Sequence, residues 1–150
     1  MKISLIFKRI LFYVLSLTWG ALLSIPGLII IAVLAIQGKV RCYHGRLYGI
    51  VGDNWGGFNL GCVFLVSRIA AKDTNYGNHT RAHESGHGLQ NIVLGPFTLF
   101  IVTIPSVIRY WYRKWMFKHN ADKPLPPYDA IWFEGQASAL GIKYIATDKI

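Results

Sequence analysis

Residues 79–95 read HTRAHESGHGLQNIVLG and contain the pattern HESGH at residues 83–87. Residues four apart lie on one face of a helix, so His83 and His87 are placed to bind one metal ion. Glu84 follows the first histidine and is placed to accept a proton from a water on that metal. The stretch ends in a glycine followed by proline, a pair that stops helices. The alternative is a surface helix with two exposed histidines, or histidines hydrogen-bonded in a polar core.

A third ligand is needed, because a catalytic zinc ion has three protein ligands and a water. The chain contains only two glutamates, Glu84 and Glu134, and the second is the candidate. It stands among apolar and small residues, where an unpaired buried carboxylate is costly without a cation. The alternative is a solvated helix carboxylate paired with a lysine. His79 is excluded, because on a straight helix it would lie about 12 Å from His87 along the axis. We expect His79 at the helix start or at the mouth of a cleft.

Composition favours a membrane-associated protein. The 150 residues, one domain's length, are 53% hydrophobic and only 15% charged, against about 25% charged in a typical soluble domain. The net charge is +9, but the basic residues are spread along the chain beside apolar segments. This pattern favours anionic lipid head groups over nucleic acid as the partner. Cys42 and Cys62 are too few for a disulfide framework, and pairing would require an oxidising compartment.

Residues 1–38 are predicted to form an N-terminal membrane anchor. Residues 10–36 carry no charge and follow a short basic segment, and about 20 apolar residues span a bilayer. A straight helix over residues 10–37 would be about 40 Å long, more than the hydrocarbon layer of about 30 Å. Pro26 interrupts the stretch, so it forms either one tilted or kinked transmembrane helix or a helical hairpin.

Residues 39–72 are predicted to form a small antiparallel sheet, because short β-branched and aromatic runs alternate with glycine-rich turns. Its last strand, residues 58–67, is the candidate edge for binding an extended peptide. The alternative is that this strand only covers the metal helix. Residues 70–78 are predicted to be a polar loop, with Asn78 or Thr80 capping the helix.

Residues 89–108 are predicted to contain a membrane-associated segment. Residues 97–108 are too few to span a bilayer, so we expect a re-entrant or interfacial segment, with a buried core helix as the alternative. Aromatic and basic residues, which suit a head-group layer, then alternate: Arg109, Tyr110, Trp111, Tyr112, Arg113, Lys114, Trp115 and Lys118. A last helix over residues 130–142, capped by Asp129, presents Glu134.

The order of these features resembles a group of small, largely uncharacterised bacterial membrane proteins with a gluzincin-like zinc-peptidase core. The matching residues are Trp19-Gly20, Gly27-Leu28-Ile29, Asn54-Trp55-Gly56-Gly57 through Leu60-Gly61, the HESGH pattern, Leu94-Gly95-Pro96, Ile104-Pro105-Ser106, and Trp132-Phe133-Glu134 through Ala137 and Gly141.

The order of these elements predicts an α+β fold with a small zincin-like domain over residues 39–150, and the resemblance adds the site residues. The resemblance implies His83, His87 and Glu134 as ligands of one Zn²⁺ per chain, Glu84 as the catalytic base, and an integral protein of the bacterial cytoplasmic membrane. Related metallopeptidases often carry an Asp at the position of Ser138. The contact from this position to a ligand histidine is therefore expected to be weaker or water-mediated.

The predicted function is a membrane-anchored zinc-dependent metallopeptidase acting on a peptide or protein substrate. Its alternative is a non-catalytic membrane protein with a structural metal site or with no metal. The even spread of basic residues leaves open which side of the membrane the metal faces.

Overall fold

The structure, a computed structural model, describes residues 2–119 and 124–147 of the chain. Over these residues it is an α+β fold, which confirms the predicted class. The helices are α1 (Lys2–Leu17), α2 (Ala21–Ile36), α3 (Asn75–Leu94), α4 (Ile104–His119) and α5 (Trp132–Leu140), and the strands are β1 (Val40–Tyr43), β2 (Arg46–Ile50), β3 (Gly57–Leu60) and β4 (Val63–Val66). Short 3-10 turns cover Gly95–Phe97 and Tyr128–Ala130, and π turns cover Leu99–Thr103 and Gly141–Ile145.

The four strands form one mixed sheet in the order β1-β2-β4-β3. Strands β1 and β2 are antiparallel, as are β3 and β4, but β2 and β4 run parallel. The predicted purely antiparallel sheet is therefore wrong. The loop after β2 skips one strand position and leads into β3 at the edge of the sheet. The β3–β4 hairpin then places β4 between β3 and β2, parallel to β2.

The predicted single strand over residues 58–67 is also wrong, because this stretch contains the end of β3 and all of β4. Gly61 lies between them with a φ of 69°, a left-handed conformation that glycine adopts without steric cost. The reversal makes β3 one of the two edge strands of the sheet, the other being β1, and no further strand pairs with β3 among the described residues.

Helix α3 begins earlier than predicted. Its N-cap is Thr74, whose hydroxyl accepts a hydrogen bond from the backbone N–H of Gly77. The predicted caps at Asn78 and Thr80 are wrong, and the polar loop ends before residue 75. Because Thr74 satisfies one of the unpaired N–H groups of the first turn, the helix gains an extra turn before the histidines.

The core joins the N-terminal helices to the sheet and to α3. Phe12 of α1 and Ile31 of α2 are buried in one cluster with Val63 of β4 and Leu89 of α3. The division into an anchor at residues 1–38 and a domain at residues 39–150 stays a prediction, and residues 120–123 and 148–150 of that domain lie outside the described residues.

Within the described residues no single helix has the length and apolar composition to cross a bilayer. Two bent helix pairs meet those criteria together, Ile3–Leu17 with Ala21–Ile36 at 102° and Asn75–Phe97 with Leu99–His119 at 115°. The break between α1 and α2 falls at residues 18–20, several residues before the Pro26 that was expected to interrupt the apolar stretch.

The segment from residue 97 to the end of α4 is largely exposed. Phe97, Phe100 and Ile108 are each more than half exposed, and α4 contains no buried residue between positions 104 and 119, all of which are described. The alternative of a buried core helix at residues 97–108 is therefore wrong, while contact of this segment with a membrane stays a prediction.

Candidate metal centre

Three side chains from two helices converge at one buried point. His83 and His87 lie on α3 and Glu134 on α5, and one ligand atom from each lies within 4.8 Å of the others. The two Nε2 atoms are 3.1 Å apart, and each is 3.1 Å from Oε2 of Glu134. Donors held at about 2.0–2.2 Å in a tetrahedral zinc site lie about 3.3 Å apart. The observed triangle therefore has the size that such an ion requires.

Ser138 orients His83. Nδ1 of His83 is 2.8 Å from Oγ of Ser138, and Ser138 donates its own proton to Oδ2 of Asp129 at 2.7 Å. Because the serine proton is committed to Asp129, the serine oxygen accepts from Nδ1–H, and Nε2 of His83 presents its lone pair. The prediction of a weak or water-mediated contact from Ser138 to a ligand histidine is wrong, because Ser138 contacts His83 directly. The carboxylate of Asp129, on a different segment, is linked to His83 through the Ser138 hydroxyl. Asp129 does not cap α5, which begins at Trp132 without a side-chain cap.

Gln90 orients His87 in the same way. Its Oε1 atom is 2.7 Å from Nδ1 of His87, and its amide nitrogen donates to the backbone oxygen of Phe133 at 2.8 Å and to Oε1 of Gln136 at 2.9 Å. Since both amide protons are donated to α5, the amide oxygen faces the histidine as an acceptor. This role of Gln90 was not predicted, although its position three residues after His87 places it on the same helix face.

Glu134 is buried and ionised. Burial opposes its ionisation, but the interactions with the His83 and His87 imidazoles and the hydrogen bond from Ser106 outweigh that effect and hold the pKa of this carboxyl far below its usual range. Ser106 donates to Oε1, which leaves Oε2 facing the two imidazoles. The alternative of a solvated carboxylate is wrong, since Glu134 is 1% exposed. Ser106 lies on α4 and carries no signal in the sequence that links it to Glu134.

Glu84 lines the same cavity as the two histidines and is also buried. Burial raises the pKa of its carboxyl, against the lowering influence of His83 and His87. The Asn59 amide nitrogen of β3 donates to the Glu84 backbone oxygen at 2.8 Å. A carboxyl whose pKa is moved toward neutrality by burial is suited to proton transfer, and β3 holds it in place.

Two glycines allow α3 and α5 to approach so closely. A Cβ atom at Gly86 would overlap the backbone oxygen of Ala137, and one at Gly141 would overlap the backbone oxygen of Ala82. Both positions therefore bring the backbones into direct contact, which places Glu134 within reach of the histidines. Neither glycine has a positive φ, so the property that matters here is the missing side chain and not backbone freedom.

The centre opens into a cavity of about 620 Å³. His79 lies on its wall, half exposed and 4.0 Å from Asp129, in agreement with the expected position at the mouth of a cleft. Tyr128, which the sequence analysis missed, also lines the cavity, with its ring centre 6.4 Å from that of His83. Burial and the nearby Glu134 raise the pKa of Tyr128. This tyrosine is therefore a neutral hydrogen-bond donor beside the candidate metal centre.

The two cysteines are free, Cys42 exposed and Cys62 buried, and both lie in the described part of the chain. They take no part in the centre, whose donors are two imidazole nitrogens and one carboxylate oxygen.

Comparisons of the chain with family models, with curated proteins and with solved structures found no match in any of the three.

Proposed function

We propose that this protein is a membrane-associated zinc-dependent metallopeptidase. The observation that carries the proposal is the convergence of two Nε2 lone pairs and one carboxylate oxygen on a buried point beside a cavity. Two imidazoles and one carboxylate, with space left for a water, form a donor set typical of catalytic zinc. A structural zinc site is closed by four protein ligands, whereas this centre lines a cavity. That opening favours catalysis over the alternative of a structural metal.

Zn²⁺ bound by His83, His87 and Glu134 would supply a Lewis acid and lower the pKa of a bound water. Glu84 would accept a proton from the attacking water and pass it to the leaving amine. Tyr128, kept neutral by burial, would donate a hydrogen bond to the oxygen that gains negative charge. Ser138 and Gln90 keep the Nδ1 protons of the two histidines away from the centre.

The exposed apolar surface supports membrane association. Large hydrophobic side chains are exposed along both N-terminal helices, including Ile6, Phe7, Ile29 and Val33. Helix α4 adds exposed Trp111, Trp115 and Phe117 among its arginines and lysines. Soluble monomers rarely expose contiguous apolar patches of this kind, and mixed aromatic and basic surfaces suit anionic head groups. In this proposal α1 and α2 insert into the bilayer, α4 lies at its surface, and the centre on α3 stays outside the lipid. The resemblance to bacterial membrane proteins favours the cytoplasmic membrane as the location.

The test is metal content and hydrolysis measured on the same purified samples. We expect one zinc per chain in the wild type and in Glu84→Gln, and loss of zinc in His83→Ala and Glu134→Ala. Hydrolysis of a casein or peptide-library substrate should require both zinc and Glu84. Zinc retained in Glu134→Ala would refute the ligand set. Full turnover by Glu84→Gln would refute the mechanism, and zinc binding without any hydrolysis would favour the structural-metal alternative.

A further inference from the structure

Strand β3 offers free main-chain groups directly beside the candidate centre. In an antiparallel pair, alternate residues turn their N–H and C=O groups toward the partner strand. The backbone bond from Ser67 N–H to Gly56 oxygen shows that Gly56, and therefore Phe58, face β4. The main-chain groups of Gly57 and Asn59 consequently point to the other side, where no strand lies among the described residues.

This edge runs past the candidate base. A Cβ atom at Gly57 would lie 2.8 Å from the carboxyl carbon of Glu84, and the Asn59 side chain is bonded to the Glu84 backbone. A chain paired with Gly57 and Asn59 would therefore pass close to Glu84. Both residues also line the cavity.

Another part of the cavity wall carries apolar and aromatic side chains from α4 and from the π turn before it. Val102, Val107, Tyr110 and Trp111 line the cavity, and Trp111 is 58% exposed. Val107, Tyr110 and Trp111 thus belong both to the cavity wall and to α4, which carries the aromatic and basic surface, while Val102 is buried in the π turn just before that helix. Phe58 and Leu65 add further apolar lining, and the hydrogen-bonding groups of the cavity include those of the metal centre and the β3 edge. A ligand that fits it needs apolar side chains together with main-chain hydrogen-bonding groups.

We propose that the substrate is an extended peptide segment with large apolar side chains, taken up from the lipid surface between β3 and α4. The proposal rests on the proposed function and names the substrate class of the same site. Its main chain would pair with Gly57 and Asn59, and an apolar side chain would lie against Val102 and Val107. A lipid acyl chain would fill the apolar wall but has no N–H or C=O groups for the strand edge. The edge groups therefore favour a peptide.

The test measures peptide binding to zinc-loaded Glu84→Gln protein, so it does not depend on turnover. Two fluorescein-labelled ten-residue peptides would be compared by anisotropy, one with a central leucine block and one with a central serine block. We expect the leucine peptide to bind at least about tenfold more tightly. N-methylation of alternate peptide bonds should weaken that binding, because it removes the N–H groups that pair with the edge.

A matched pair of variants separates the cavity from the general apolar surface. Val107→Asp should abolish the preference for the leucine peptide, whereas Ile108→Asp should leave it unchanged, since Ile108 is more exposed and does not line the cavity. Equal binding of both peptides, or equal effects of the two variants, would overturn the proposal. Displacement of the leucine peptide by lauric acid together with insensitivity to N-methylation would identify an acyl ligand instead and would also overturn it. Absence of zinc or of hydrolysis in the wild type would count against the proposed function, not against this selectivity.

Discussion

Ser138 lies between His83 and Asp129, and accepts a hydrogen bond from Nδ1 of the histidine at 2.8 Å while donating to the aspartate at 2.7 Å. Through the Ser138 hydroxyl, this arrangement keeps the proton of His83 on Nδ1 and leaves Nε2 free to bind a metal ion. Such outer partners of a ligand histidine fix its ring orientation and raise its basicity as a ligand.

Ser138→Ala is therefore expected to lower zinc affinity by about 10-fold to 100-fold, measured by competition with a chromophoric chelator. Ser85→Ala is the matched control, because Ser85 is also buried, on α3, but its hydroxyl donates to the backbone oxygen of Arg81. The control should bind zinc like the wild type. Equal affinity of Ser138→Ala and the wild type would show that the contact does not orient His83.

Gly57→Ala is expected to displace the Glu84 carboxyl, because the added Cβ atom would meet that side chain. We expect a loss of turnover with zinc content unchanged, measured as kcat beside metal analysis. Gly56→Ala is the control at the position just before β3, where the nearest atom to an added Cβ is the Tyr76 hydroxyl at 3.8 Å. If both variants lose the same activity, the effect comes from the strand and not from Glu84.

The histidine pair and its partner carboxylate could be predicted from sequence because each depends on a local rule. Helix periodicity places His83 beside His87, and the cost of burying an unpaired carboxylate singles out Glu134. The α+β class followed from the contrast between apolar helical stretches and short β-branched runs.

The neighbours of the ligands could not be predicted, because their contacts join segments far apart in the chain. Ser106 meets Glu134 across 28 residues, and Asn59 meets Glu84 across 25. The sheet order was predicted wrongly for a related reason. Gly61 reverses the chain inside a largely apolar stretch, and the sequence does not show that this glycine has a positive φ. Only the folded chain shows which strand then lies at the edge.

Gly86→Ala is expected to destabilise the fold, because α3 and α5 contact each other through the backbone at this position. Overpacking of a close contact costs about 1–3 kcal/mol, which should lower the thermal midpoint measured by circular dichroism, and zinc binding should weaken as Glu134 moves away. Val93→Ala on the same helix is the control, since Val93 is 74% exposed. A midpoint of Gly86→Ala equal to that of the wild type would show that α5 tolerates a shift.

Tyr128→Phe is expected to lower kcat about a hundredfold, the scale found when one donor to a developing oxyanion is removed, with zinc still bound. The partly buried hydroxyl is kept in its neutral form because desolvation raises its pKa. Tyr76→Phe serves as the control, because Tyr76 lines the same cavity but is half exposed. A change confined to KM in Tyr128→Phe would instead assign this residue to substrate binding.

The basic face of α4 should respond to the charge of the lipid. We expect slower amide hydrogen exchange in Ile104–His119 when the protein is in nanodiscs of phosphatidylglycerol than in nanodiscs of phosphatidylcholine. Each lysine or arginine at a membrane surface contributes about 1 kcal/mol with anionic lipid, so reversing Lys114 and Lys118 to Glu should abolish the difference. Reversing Lys72 and Lys143, which are exposed residues outside α4, changes the net charge equally and should leave the difference intact. Exchange that does not depend on the lipid in the wild type, or equal effects of the two double variants, would show that α4 does not lie on the head groups.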